Sequence, residues 1–192
     1  RPRRPATAPC GGADAGPAVF STARGAPAGI NRLCALFGVG PGTLVVIGPY
    51  EHHSNILPWR ESGAEVIEVP ESLEGGPDLG VFADTLAQAG KDRRIVCAFS
   101  AASNVTGIVT DVTAVTRLAK AAGARMIWDY AGGGPYLPIA MTPEPDAEID
   151  AVVVSPHKFI GGPGASGVLI VRRDAVVSAR PTWPGGGTVR FV

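Results

Sequence analysis

The sequence predicts an α/β fold, a mainly parallel seven-stranded sheet with helices on both faces and one antiparallel strand. Three observations carry this. Seven short runs recur along the chain, at 18–22, 43–48, 65–69, 94–99, 125–129, 150–155 and 167–172, and most are apolar throughout rather than alternating, as strands covered on both faces are. Helix-like stretches separate them, and strand–helix alternation is the pattern of a parallel sheet. The last connection breaks the pattern: residues 156–166 carry three glycines and two prolines and offer no room for a crossover helix, so the final strand is expected to return antiparallel.

In chain order, AVFST at 18–22 is the first strand. Arg24-Gly25-Ala26-Pro27 follows, with Pro27 suited to the first position of a helix (near 28–38) whose free N–H groups would face an anion. TLVVIG at 43–48 is the second strand, a helix is expected near 53–62, and EVIEV at 65–69 is the third strand. A helix near 80–90 leads to RIVCAF at 94–99, and a helix near 111–122 opens on Asp111 as N-cap and ends at Gly123. RMIWD at 125–129, DAVVVS at 150–155 and GVLIVR at 167–172 complete the set, with Pro-rich loops near 135–145 and 181–184. No internal repeat is present.

The chain has 192 residues, 45% hydrophobic, enough for one domain with a real core. Its 17 basic and 17 acidic residues cancel, and the arginines are dispersed apart from Arg1, Arg3 and Arg4, so no nucleic-acid partner is expected. No apolar stretch approaches a membrane span, so no membrane partner is expected either. Residues 1–17 are Pro/Ala/Gly-rich with a basic start but lack the apolar middle of a signal peptide, and read as a flexible amino-terminal arm before a folded unit at 18–192. Cys10, Cys34 and Cys97 are odd in number and widely spaced, which indicates neither a disulfide framework nor a Cys-x-x-Cys metal site and fits a reducing cytoplasm. The first residue is not methionine, as in a trimmed chain or a fragment.

Chemistry-bearing residues gather at the carboxyl ends of the expected strands, where ligands collect in an open α/β sheet. Glu51-His52-His53 follow the second, Ser103-Asn104 the fourth, Asp129 closes the fifth, and Ser155 and His157 follow the sixth. Lys158 lies between an apolar run and a Gly-rich turn, whereas Lys91 and Lys120, the other two lysines, sit in polar or helical surroundings. An amine there is expected to be partly desolvated and nucleophilic toward a carbonyl, which suggests a Schiff base. Plainer readings exist for each residue: Lys158 as a surface charge, His52 and His53 as structural or surface histidines, Asp129 as a helix cap, Asn104 as a turn former and Thr188 as part of a mobile Gly-Gly-Gly-Thr loop. Neighbouring His52 and His53 point in different directions on a regular element, so both serving one site is not expected. A metal site from His52, His157 and Asp129 would leave the lysine and the anion-binding helix start unexplained. The glycines at 161–167 precede a strand rather than a helix, against a dinucleotide fingerprint, and no Gly-x-Ser-x-Gly elbow supports an α/β hydrolase. Together the residues match the needs of pyridoxal 5′-phosphate (PLP): a lysine for the aldehyde, a carboxylate for the ring nitrogen, and hydroxyl, imidazole and backbone N–H groups for the phosphate.

The stretches RGAPAGIN (24–31), EHHSNILPW (51–59), SNVTG (103–107), WDYAGGGPYLPI (128–139), SPHKFIGGPGASGVL (155–169) and PGGGTV (184–189) resemble, in order, the large domain of class V PLP-dependent enzymes of fold type I, the aminotransferase and cysteine desulfurase group. The resemblance implies that Lys158 forms the Schiff base with the cofactor, His52 stacks on its ring and Asp129 pairs with the ring nitrogen. It further implies that Asn104 contacts the phenolic oxygen or substrate carboxylate, that Ser155, His157 and the Ala26 amide hold the phosphate, and that Thr188 reaches the phosphate of a partner in a homodimer. An amino acid is the implied substrate, through transamination, elimination or C–S cleavage. Three departures qualify this. Pro27 stands where the family usually has a phosphate-binding threonine, Gly132 stands where desulfurases usually have a glutamine, and the chain stops at Val192, where the smaller carboxy-terminal domain with the substrate-carboxylate arginine and the desulfurase cysteine would begin. The competing expectation is a truncated large domain that keeps the fold, with or without bound PLP, and has no turnover.

Overall fold

Strands that bury every residue form the middle of the molecule. In the computed structural model, which describes residues 16–22, 25–90 and 92–178, β2 (Leu44–Ile47), β4 (Ile95–Ser100) and β6 (Ala151–Val154) have no exposed position. With β1 (Ala18–Thr22), β3 (Glu65–Glu68), β5 (Arg125–Asp129) and β7 (Gly167–Val171) they make one sheet in the order β1-β7-β6-β5-β4-β2-β3. β7 alone runs antiparallel to its neighbours, pairing Val152 with Ile170 on one side and Phe20 with Leu169 on the other. The expected seven-stranded, mainly parallel sheet with one antiparallel strand is therefore found.

Period-two alternation divides the core into two layers. On one face, Leu44, Val46, Cys97, Phe99, Met126, Trp128 and Val152 pack under α3 (Leu79–Ala89) and α4 (Val112–Ala121). On the other, Val45, Ile47, Val96, Ala98, Ile127 and Val153 pack under α1 (Gly25–Leu36) and α2 (Leu57–Glu61). α1 presents Ala26, Gly29, Ile30 and Leu33 to the sheet, one helical stripe. Asp78 and Asp111 cap α3 and α4 by accepting from Val81 N–H (3.0 Å) and Ala114 N–H (2.9 Å), the second as expected.

Two element boundaries differ from expectation. α1 begins at Gly25, so Pro27 is its third residue and not its first; Gly25 takes φ 67° and makes this earlier start possible. The expected helix at 53–62 is divided into a 3-10 turn, His53–Asn55, and the short α2, because Pro58 in the first turn of α2 has no N–H to continue the ladder from the preceding turn.

The connections place a crevice. After β2 the chain passes through α2 on one face of the sheet; after β4 it passes through α4 on the other. β2 and β4 are neighbours, so the loops leaving their carboxyl ends part to opposite sides, the arrangement in which open α/β sheets bind ligands.

Candidate functional site

A cleft of about 310 Å³ opens at this edge. Its walls include Ala26, His52, Asn104, Asp129, Ser155, His157 and Lys158, every described residue singled out from the sequence for the cofactor, drawn from separate segments of the chain. Thr188 lies outside the described residues.

Asp129 ends β5 and is only 4% exposed. Its Oδ1 accepts from Ala131 N–H at 2.7 Å, a cap on a turn rather than on a helix. Burial pushes its pKa up, against the opposing pull of the Ala131 N–H and the charges of Lys158 and His52. A carboxyl with one internal donor in such a place is set to ionise against an added cation.

His52 lies on the loop after β2. Ser54 N–H reaches its Nδ1 at 3.1 Å and Ser54 Oγ lies 2.8 Å from the same atom. A backbone N–H only donates, so Nδ1 accepts and the neutral ring carries its proton on Nε2. His53, whose ring stands edge-on to that of His52 at 6.2 Å, is not in the cleft wall, so one histidine of the pair serves the site.

At the other end, Ala26 N–H points to Ser155 Oγ at 3.3 Å. Ser155 is 2% exposed, and its hydroxyl proton has no acceptor among the described residues. The approach is tight: a Cβ on Gly25 would meet His157 Cε1 at 3.1 Å. A helix start without acidic residues in its first turn, a buried hydroxyl with an unspent proton and an imidazole thus lie together, a donor set suited to an anion. Pro27 lines the cleft without contributing an N–H.

Lys158 corrects an expectation. It lines the cleft but is exposed, as is His157. The reason is local: Pro156–Lys158 is a single 3-10 turn that carries the chain off the end of β6 and out of the sheet, so the amine meets solvent instead of the apolar layers. Asn104 sits in an exposed turn whose geometry is held by its neighbour, Ser103 Oγ accepting from Val105 and Thr106 N–H at 3.2 and 3.1 Å. That leaves the Asn104 amide free for the cleft. A Cβ at Gly132 would find nothing nearer than Ala102 O at 3.8 Å, so packing does not demand glycine there.

Sequence reasoning passed over Ser100 and Ser54, both in the cleft wall. Ser100 ends β4, and the rule that ligands collect at the carboxyl ends of strands would have found it.

PLP fits this set of residues. The cleft holds an amine, a buried carboxyl with a single internal donor, and a separate group of anion donors. Among the described residues no cluster of His, Cys, Asp and Glu suits a metal ion, and no helix is long and apolar enough to cross a membrane.

Comparison with known proteins agrees. A cysteine desulfurase of Pectobacterium atrosepticum is 34% identical over 173 residues, which are 86% of this chain and 40% of that protein. A probable cysteine desulfurase of Aeropyrum pernix is 35% identical over 159 residues, 81% of this chain and 37% of that protein. The chain thus spans about two-fifths of the length of the curated relatives it matches. The crystal structure of a cysteine desulfurase from Escherichia coli superposes with a TM-score of 0.75 at 28% identity, covering 91% of this chain and 43% of the other. The family profile described as Aminotransferase class-V matches residues 21–192, and the chain belongs to that family.

Proposed function

We propose that the chain is the PLP-binding large domain of an enzyme acting on an amino acid, cysteine desulfurase-like in type, with Lys158 as the residue that joins the cofactor. The observation that carries this reading is the meeting, in one cleft at the carboxyl ends of the strands, of an amine, a buried carboxyl and an anion-binding end. When bound, PLP supplies an electron sink for charge that develops at the substrate α-carbon. Asp129 would hold the proton on the ring nitrogen, gaining the cation that its burial calls for. His52, fixed through Nδ1 by Ser54, would lie on the ring face. Ser155, His157 and the Ala26 N–H would take the phosphate, and Asn104 the phenolic oxygen or the substrate carboxylate. Lys158 Nζ, once released, would accept the α-proton as general base.

A homodimer belongs to the proposal: the exposed apolar side chains Val105, Tyr136 and Ile160 are close in sequence to cleft residues and would be covered by a second copy, and Thr188 would reach the partner's phosphate. A cytoplasmic location is supported by the free thiols of Cys34 and Cys97.

The test is to load the purified chain with PLP, record its visible absorption, reduce with borohydride and locate the added mass. The expected result is a band and a modification at Lys158, both lost in Lys158→Ala. A wild-type protein without a band, or a Lys158→Ala protein that keeps it, refutes the reading. A second reading, binding without turnover, is compatible with the exposure of Lys158 and His157. Loaded protein that binds PLP but converts no amino acid, cysteine included, decides for it.

A further inference from the structure

Glu51 is a half-buried acid to which the cofactor reading gives no role. It follows β2 by four positions and immediately precedes His52. Its Oε1 accepts from Ser100 N–H at 2.7 Å, and its Oε2 accepts from Ser100 Oγ at 2.7 Å and Asn55 Nδ2 at 2.5 Å. The orientation of Asn55 is forced, because its Oδ1 accepts from Trp59 Nε1, an indole that only donates, at 3.0 Å. The nest therefore offers Glu51 donors from two elements and is built for a carboxylate. It is also close-packed: a Cβ on Gly48 would lie 2.8 Å from Glu51 Oε1 and 2.8 Å from Phe99 Cδ1.

The nest bridges the point where the β2 and β4 loops part. Ser100 is the register partner of Asp129, and Ala101 N–H donates to Asp129 O at 2.9 Å, so the two acids are tied to adjacent strand ends. Asn55 N–H also holds His52 O at 2.7 Å. Glu51 thus fastens the loop bearing His52 to the strand end beside Asp129.

We infer that Glu51 is a positioning residue of the cleft, clamping the His52 loop across the β2–β4 opening and placing a second negative charge behind Asp129 that helps a bound cofactor keep its protons. The inference rests on the PLP reading. The charged and titratable groups around this pair are Asp129 on β5, His52 on the same loop, and His157 and Lys158 on the turn after β6. Burial, reinforced by the charge of Asp129, pushes the Glu51 pKa up to about 7 against the pull of its hydrogen bonds, so its charge changes near neutral pH.

The experiment compares wild type with Glu51→Gln and Ser100→Ala, with and without PLP. In the loaded protein, Glu51→Gln is expected to keep the visible band while the pH midpoint of its deprotonation falls by about one unit, since a nearby negative charge is gone. Glu51→Asp, which keeps the charge, is expected to hold the wild-type midpoint. Without PLP, the raised folded-state pKa means wild-type stability is full below the unfolded value and declines as pH rises through about 7. Glu51→Gln is expected to lose that part of the pH dependence. Ser100→Ala removes one donor from the carboxylate and is expected to move the decline to higher pH, which keeps the idea testable should Glu51→Gln not fold. A wild type without a band refutes the cofactor reading itself. A wild-type band whose midpoint is unchanged in Glu51→Gln, or a Tm–pH profile unchanged in Ser100→Ala, overturns this inference alone.

Discussion

Gly167→Ala tests whether the start of α1 is the anion-binding end of the cleft. Gly167 opens β7 opposite Thr22 of β1, and its backbone lies outside the left-handed region, so glycine is there for space. An added Cβ would run into Thr22 Oγ1 and the Gly25 carbonyl carbon and would sit 2.5 Å from Gly25 Cα. Carbon atoms in contact need about 3.5 Å, so the start of α1 must retreat by about 1 Å. Main-chain neighbours cannot swing aside as a rotamer would. The retreat breaks the Ala26 N–H contact to Ser155 Oγ, already long at 3.3 Å, and draws Gly25 away from His157. Overpacking of this kind costs about 1–3 kcal/mol, and a binding group displaced by about 1 Å weakens its function by roughly tenfold or more. Stability is read by urea unfolding, and affinity by titrating the apoprotein with PLP and, separately, with pyridoxal. The expected result is a loss confined to the phosphorylated cofactor. Gly40→Ala is the control, since its Cβ would find its nearest neighbour, Ser62 O, at 3.7 Å. Equal losses for PLP and pyridoxal, or a Gly167→Ala protein with wild-type stability and affinity, would refute the reasoning.

Two further predictions follow from buried acids. Asp150, 1% exposed, holds Met126 N–H at 2.7 Å, Lys120 Nζ at 2.8 Å and Arg125 Nη1 at 3.2 Å; Asp150→Ala strands that N–H in the core while the two part-exposed cations rehydrate, so urea unfolding is expected to report a loss of about 2–4 kcal/mol, and a loss under about 1 kcal/mol would deny the acid its anchoring role. Asp129→Asn keeps an acceptor for Ala131 N–H and removes an acid whose pKa burial has raised, so the apoprotein is expected to gain about 1 kcal/mol near neutral pH, the gap closing as pH falls through the raised pKa and Asp129 takes up its proton, while PLP binding weakens; an unchanged Tm at every pH would count against a strained carboxylate.

The strands were readable because their burial is two-sided. AVVV at 151–154 and the run ending IVCAFS at 95–100 have no polar alternation to mistake for a surface, and the short Gly/Pro connection before β7 could only reverse the chain. The helix boundaries were less legible. Pro27 resembles a first helical residue by its fixed φ, yet Gly25 reaches a conformation that other residues avoid and starts the helix two positions sooner. Pro58 was visible in the sequence, but its power to divide 53–62 into a 3-10 turn and a five-residue helix depends on which N–H is needed there.

The cleft residues were legible for a related reason: polar side chains at the carboxyl ends of apolar strands have few structural duties, so each stands out. What the sequence hid is where each one is held. Lys158 follows an apolar strand and looks desolvated in one dimension, but the turn carries it into solvent in three. Glu51 looks like one more charged loop residue, and its value depends on Ser100, 49 positions away, and on an asparagine whose amide is turned by a tryptophan. Such a site is assembled by the sheet order, which brings β2 beside β4 and sends their loops apart. Residue types can nominate the chemistry, but only the register that sets Ser100 against Asp129 lets two acids far apart in the chain share one electrostatic task.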